Sequence, residues 1–251
     1  MSLNIEAKIN QILKNAPHKV VLTTTWLNEQ NISSQLMAKY VKSKWFDCIA
    51  KGAYIRSGEK VSIDGGLFAL QSQLGLFVHI GASTALSYQD ITHFIKANAE
   101  MLLFSHRNET IPVWFKKYFY NFRVVKTDFL PQNIGLIDYN SGDFNIKISS
   151  PERAILELLY LCPEKASLKE AYQLIELLVN IKPGLMQELL EKCNSVKVKR
   201  LFLYMAEKIN HDWFEYLKTD KIDLGQGKRV ISKNGKLDKK YNIVIENPDE
   251  I

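Results

Sequence analysis

The sequence predicts an α+β protein, and three observations carry that expectation. Segments with apolar residues at helical spacing alternate with apolar runs of strand length up to Pro151. From Pro151 onward the apolar pattern is mostly helical, with Ser or Pro at each start. The 251 residues are 46% hydrophobic and 24% charged, enough apolar material for one large domain or two small ones. That balance excludes a disordered chain, a collagenous one and a disulfide-rich miniature.

The elements follow in order. Ile5, Ile9, Ile12 and Leu13 predict a first helix ending near Asn15. Ala16-Pro17 stops it, because Pro disfavours helix in the residue before it. After the apolar Val20-Val21-Leu22, Thr23-Thr24-Thr25 supplies an N-cap for a short helix through Trp26, Leu27 and Gln30. Asn31-Ile32 makes a tight turn, and Ser33 or Ser34 caps a third helix. Its apolar stripe is Leu36, Met37, Tyr40 and Val41; its other face offers Gln35, Lys39, Lys42 and Ser43. Two short strands, Phe46 to Ala50 and Ala53 to Arg56, flank Lys51-Gly52, where Gly tolerates the positive φ of a hairpin turn. Helix, short helix, turn, helix, hairpin is the order of a winged helix-turn-helix, assigned to residues 1–60. In that arrangement the second helix braces the third, which presents its polar face to the major groove. Small three-helix domains with a hairpin also serve as protein-interaction modules, and that alternative stands beside DNA binding.

Residues 61–251 read as a mixed α/β C-terminal domain with a largely helical end. Ile63 to Leu74 is a helix with an early Gly pair. Strands are expected over 76–80, 101–105 and 122–130, with helices from Ser83 and over Val113 to Tyr118. Segments 134–139 and 144–149 form a hairpin around Asn140-Ser141-Gly142-Asp143. Ser150 then caps a helix with Pro151 in its first turn. Further helices start at Ser167, Pro183 and Ser195, and Asn234-Gly235 predicts a final hairpin. The middle and last parts are expected to share one core.

Charge is unevenly placed. Residues 1–60 carry nine Lys/Arg against four Asp/Glu, and residues 196–241 carry twelve against six. The rest of the chain nets −5, so two basic segments flank a mildly acidic middle. Clustered cations suit a phosphate-backbone partner, although a basic segment is commonly a solvated face. Cys48, Cys162 and Cys193 are odd in number and lack CxxC spacing, which argues against a zinc site or a disulfide framework. The polar, amphipathic start lacks a signal-peptide core, and no apolar run could span a bilayer, so a cytoplasmic protein without membrane association is expected.

The candidate DNA contacts are Ser33, Ser34, Gln35, Lys39, Lys42, Ser43 and Lys44 on the third helix and its end, with Lys51 and Arg56 on the wing. Gln35 could read adenine and Lys39 guanine or a phosphate, while Lys42, Ser43 and Lys44 suit phosphates. Tyr40 is equally compatible with core and phosphate contact. A C-terminal basic surface is expected from Lys197, Lys199, Arg200, Lys228 and Arg229. Cations at 197–200 oppose the macrodipole at a helix start, and that cost suggests a use. No catalytic constellation, metal site or cofactor is expected. LGQGKR at 224–229 lacks the phosphate-loop spacing. Asp138, Asp143 and Lys147 approach a nuclease pattern, but Asn145 stands where it needs an acid. His79 and His93 read as structural.

Several segments resemble one family in the right order over almost the whole chain. TTTWLNEQNISSQLMAKYVKSKWFDCIAKGAYIR is similar to the N-terminal winged-helix segment of the AbiEi antitoxins of type IV toxin–antitoxin systems. So are GLFALQSQLGLFVHIGASTALSYQ, SSPERAILELL and SVKVKRLFLYMAEKINHDWFEYLKTDKIDLGQGKRV to later parts of the family. Where such proteins often read Gly-Tyr-Ala-His, this chain reads Asp90-Ile91-Thr92-His93, which puts a shared small-residue turn in doubt. The resemblance implies a non-enzymatic antitoxin with a role in abortive infection and phage defence. Its N-terminal domain would repress the shared operon by binding double-stranded promoter DNA. Its C-terminal domain would counteract a nucleotidyltransferase-like toxin without a stable complex. Repression over inverted repeats would place two copies on DNA, and a monomer in solution is compatible with that. The alternatives are a direct protein inhibitor that clasps its toxin and a stand-alone winged-helix regulator.

Overall fold

The computed structural model describes residues 2–92 and 99–246, with side chains from residue 8. His93 lies outside the described residues. The order is α1 (Ser2–Asn15), β1 (Leu22–Thr23), α2 (Thr24–Glu29), α3 (Ser34–Lys42), β2 (Phe46–Ala50), β3 (Ala53–Arg56), α4 (Ile63–Phe68), β4 (Val78–Ile80), α5 (Ala82–Tyr88) and β5 (Met101–Ser105). It continues α6 (Val113–Tyr118), β6 (Phe122–Lys126), β7 (Leu136–Asn140), β8 (Asn145–Ser149), α7 (Pro151–Leu161), α8 (Leu168–Glu176), α9 (Pro183–Lys192), α10 (Val196–Ile209), β9 (Arg229–Val230), β10 (Lys236–Asp238) and β11 (Ile243–Ile245). The fold is α+β, as expected.

Two compact units divide the chain. The first holds Met1–His79, Asn108–Phe122 and Asp138–Lys147. Its sheet has the order β1-β3-β2, antiparallel throughout. The expected hairpin forms with Phe46 opposite Arg56, and Gly52 takes φ +83° at the turn. Ile12, Val21, Leu27, Ile32, Met37 and Phe46 are buried, so both helices of the helix-turn-helix and the wing are anchored in one core. The Gly pair of α4 has a steric reason. A Cβ on Gly65 would lie 2.0 Å from the Lys19 carbonyl oxygen, and one on Gly66 would lie 2.2 Å from the Phe119 ring. After α4 the helix widens into a π turn over Ala69–Gln73, which presents Gln73 inward. The buried Gln73 amide accepts the Thr23 N–H and donates to the Val21 oxygen, both at 2.8 Å. It thereby completes the backbone pairing of a two-residue strand.

The second unit holds Ile80–Arg107, Arg123–Ile137 and Ile148–Ile251. The five-stranded sheet of the chain has the order β6-β5-β4-β8-β7, with β4 and β8 parallel at Ile80 and Ile148. Helix α7, capped by Ser150 with Pro151 in its first turn, is buried almost all round and packs against α5, α8, α9 and α10. Glu157, on α7, is fully buried and fully used. It accepts from Arg153 Nε (2.8 Å), Ser149 Oγ (2.7 Å) and the Ala82 N–H that opens α5 (3.1 Å). Arg153 Nη1 donates onward to the Pro131 and Ile134 oxygens at 2.6 and 2.7 Å. This satisfies the buried pair with hydrogen bonds, the condition under which a buried charge is tolerated.

The final hairpin is displaced from its predicted place. Asn234-Gly235 joins β9 to β10, which do not pair with each other; β11 lies between them. The antiparallel pair is β10 with β11, and β9 runs parallel to β11. Asn-Gly supplies only local turn chemistry, here closed by Gly235 N–H to the Ser232 oxygen at 3.2 Å.

Candidate nucleic-acid interface

Helix α3 is built to expose a polar face. Ser33 Oγ accepts the Leu36 N–H at 3.2 Å, and α2 is capped likewise by Thr23, whose Oγ1 accepts the Trp26 N–H at 3.3 Å. Met37 and Tyr40 turn into the core, while Ser33, Ser34, Gln35, Lys39, Lys42, Ser43 and Lys44 are exposed. Tyr40 is a core residue. Its ring lies 6.2 Å from that of Phe46, and burial pushes its phenol pKa up. Lys51 is exposed at the wing turn. The arrangement therefore places amide, hydroxyl and ammonium groups on one side of a braced helix. These are the donors that duplex DNA takes from proteins.

Arg56 is placed elsewhere, as a correction to its expected exposure. It is 8% exposed, and its Nη2 donates to the Leu13 and Ala16 oxygens at 2.9 and 2.6 Å. Those are carbonyls at the end of α1, which would otherwise lack partners. Nη1 lies 3.0 Å from the His18 ring, and His18 Nδ1 is 2.7 Å from Glu59. Arg56 thus ties the end of β3 to the end of α1.

The C-terminal cations separate in the same way. Lys228 and Arg229 are exposed, but Lys199 and Arg200 are buried, which corrects their expected place on a basic surface. Arg200 donates to the oxygens of Leu224, Gly225, Gly227 and Asn242 at 2.6–3.0 Å, clamping the Gly-rich loop onto α10. Burial and the Arg229 charge lower its pKa. Lys197 is half-buried and donates to the Tyr160 and Cys162 oxygens at 2.8 and 2.6 Å. It caps the C-terminal end of α7, where a cation is favourable, and so offsets its unfavourable place at the start of α10. Of the near-nuclease residues, Lys147 on β8 pairs with Asp138 on β7 at 2.9 Å, and in the turn between these strands Asn140 Oδ1 accepts the Gly142 N–H at 3.1 Å. Among the described residues no group of three or more His, Cys, Asp or Glu could hold a metal ion, and no helix is long and apolar enough to cross a membrane.

Gln73 was not legible as a supporting residue, because nothing in the sequence distinguishes a buried Gln from a solvated one.

A braced third helix with an exposed cationic face is an architecture that many transcription regulators use. Two family models cover the chain: one described as a transcriptional regulator, AbiEi antitoxin N-terminal domain, over residues 5–97, and one described as a transcriptional regulator, AbiEi antitoxin of a type IV toxin–antitoxin system, over residues 98–246. The chain belongs to the AbiEi antitoxin family. The crystal structure of the RV2827C protein from Mycobacterium tuberculosis has a similar fold, with a TM-score of 0.60 at 10% identity, covering 96% of this chain and 91% of that one. No curated protein matches the chain in sequence.

Proposed function

We propose that this antitoxin represses its own operon by binding double-stranded promoter DNA through residues 1–60. Residues 61–251 would counteract a nucleotidyltransferase-like toxin without a stable complex. The observation that supports the DNA reading best is the exposed face of α3, with Gln35, Lys39 and Lys42 on a helix whose opposite side is locked into the core. Gln35 matches the two-bond geometry of an adenine edge, and Lys39 a guanine edge or phosphate. Ser33, Ser34, Lys42, Ser43, Lys44 and Lys51 supply backbone contacts that set register. Lys228 and Arg229 are exposed cations on the C-terminal part.

The test is fluorescence anisotropy of the full chain on its own upstream duplex and on a scrambled duplex, at two salt concentrations. Preferential, salt-sensitive binding to the upstream duplex is expected. Equal, weak binding to both would refute the repressor reading. A toxin that co-purifies as a stable complex would replace the second half of the proposal with direct inhibition.

A further inference from the structure

Trp45 is 51% exposed, whereas Trp114 and Trp213 are 6% and 4% exposed. An indole left in water forgoes a large favourable burial. The backbone fixes where it stands. Helix α3 ends with the Lys44 N–H bonded to the Val41 oxygen and the Trp45 N–H bonded to the Tyr40 oxygen, both at 3.0 Å. That pair of bonds is the Schellman termination, whose pivot is normally Gly. Here the pivot is Lys44 at φ +57°, a conformation that strains any residue with a Cβ. On the far side, the Trp45 oxygen accepts the Ser57 N–H at 3.0 Å. Phe46, the next residue, is fully buried, so strand alternation points Trp45 away from the core. An exposed indole is thus held by main-chain bonds directly after Lys42, Ser43 and Lys44. The nearest acid along the strand, Asp47, has its Oδ1 engaged by the Ser57 hydroxyl at 2.8 Å.

We propose that Trp45 is a contact residue for duplex DNA. Its indole packs on the sugar–phosphate backbone beside the phosphates met by Lys42 and Lys44, and its Nε1–H donates to a phosphate oxygen. Continuity with the exposed face of α3 and the flanking ammonium groups select an anionic duplex as the occupant. The contact adds affinity without reading sequence. This inference rests on the DNA-binding reading above and extends it to a residue outside the charged set.

The experiment uses the full chain with its upstream duplex and a scrambled duplex. Acrylamide quenching of tryptophan fluorescence is compared for wild type and Trp45→Phe, with and without DNA. Shielding of a component that Trp45→Phe lacks is expected. Trp45→Ala should weaken both duplexes by roughly tenfold, with no change in the slope of log K against log salt because no charge is lost. Lys44→Ala should make that slope shallower. Circular dichroism of each variant checks folding, and the quenching arm on wild type decides the matter if Trp45→Ala is misfolded. If wild type binds DNA while Trp45 stays equally quenchable, or folded Trp45→Ala binds as wild type does, the proposal is overturned. If wild type binds neither duplex, the DNA-binding reading fails and takes this contact with it.

Discussion

Replacing Gln73 with Met tests how the helix-turn-helix is held. The substitution keeps length and apolar volume but removes both amide hydrogen bonds. The Thr23 N–H and Val21 oxygen, both on buried residues, then lose their partners. Each unsatisfied buried backbone group costs about 1–3 kcal/mol. Met, unlike Gln, has no amide to desolvate, which offsets about 1–2 kcal/mol of the total. The net expectation is a loss of about 1–4 kcal/mol, which corresponds to a midpoint lowered by about 3–12 °C for a chain of this size. Thermal and urea unfolding followed by circular dichroism would measure it. Thr23 also caps α2, so promoter affinity should fall along with stability. A loss under about 1 kcal/mol would refute the argument that Gln73 is the missing partner of β1.

Further outcomes follow from the same geometry. Lys44→Gly should stabilise the chain by about 1 kcal/mol, because Gly adopts the left-handed pivot freely, yet weaken DNA binding and its salt dependence; unfolding and anisotropy together read both signs. Gln35→Ala should relax discrimination at one base position by about 1–3 kcal/mol, whereas Lys42→Ala should weaken all duplexes alike, as binding to single-base operator variants would show. Arg200→Lys should cost about 2–4 kcal/mol, because one ammonium cannot reach four carbonyls, and should make 224–229 the first site of limited proteolysis. Thiol labelling of the native chain at pH 8 should modify Cys48 alone, since burial pushes the Cys162 thiol up to about 12 and raises that of Cys193. With the folded Cys162 pKa above its unfolded value, its contribution to stability is complete at neutral pH and is lost as pH climbs from about 9 towards 12.

What the sequence revealed, and what it hid, divides along the range of the interactions involved. The N-caps at Thr23, Ser33, Ser150 and Ser167 were readable because a cap bonds to a residue three positions on. The wing strands were readable because period-two apolar residues flank Lys51-Gly52. The Asn234-Gly235 turn was misread as a hairpin because pairing partners are chosen by tertiary contacts, which placed β11 between its neighbours. The make-up of the first compact unit was hidden for the same reason. Gln73 meets Val21 and Thr23 about fifty positions away, and no local pattern marks such a bond. The exposed face of α3 followed from periodicity, but the buried arginines did not, because Arg serves core carbonyls as readily as phosphates.

That division of the cations has a quantitative consequence for binding. The basic count of residues 1–60 overstates the charge available to DNA, since Arg56 spends its guanidinium on α1. Of the candidate contacts there, Lys39, Lys42, Lys44 and Lys51 remain exposed cations. Four phosphates neutralised per chain give a log–log salt slope of about −3.6, and two copies on one operator about −7. A slope near the first value would mean one chain held by α3 and the wing alone. A steeper slope at one chain per duplex would require cations beyond this set, and Lys228→Ala with Arg229→Ala would then show whether the C-terminal part supplies them. A slope much shallower than about −3 would mean that α3 presents its lysines to solvent, and the repressor reading would lose its electrostatic footing.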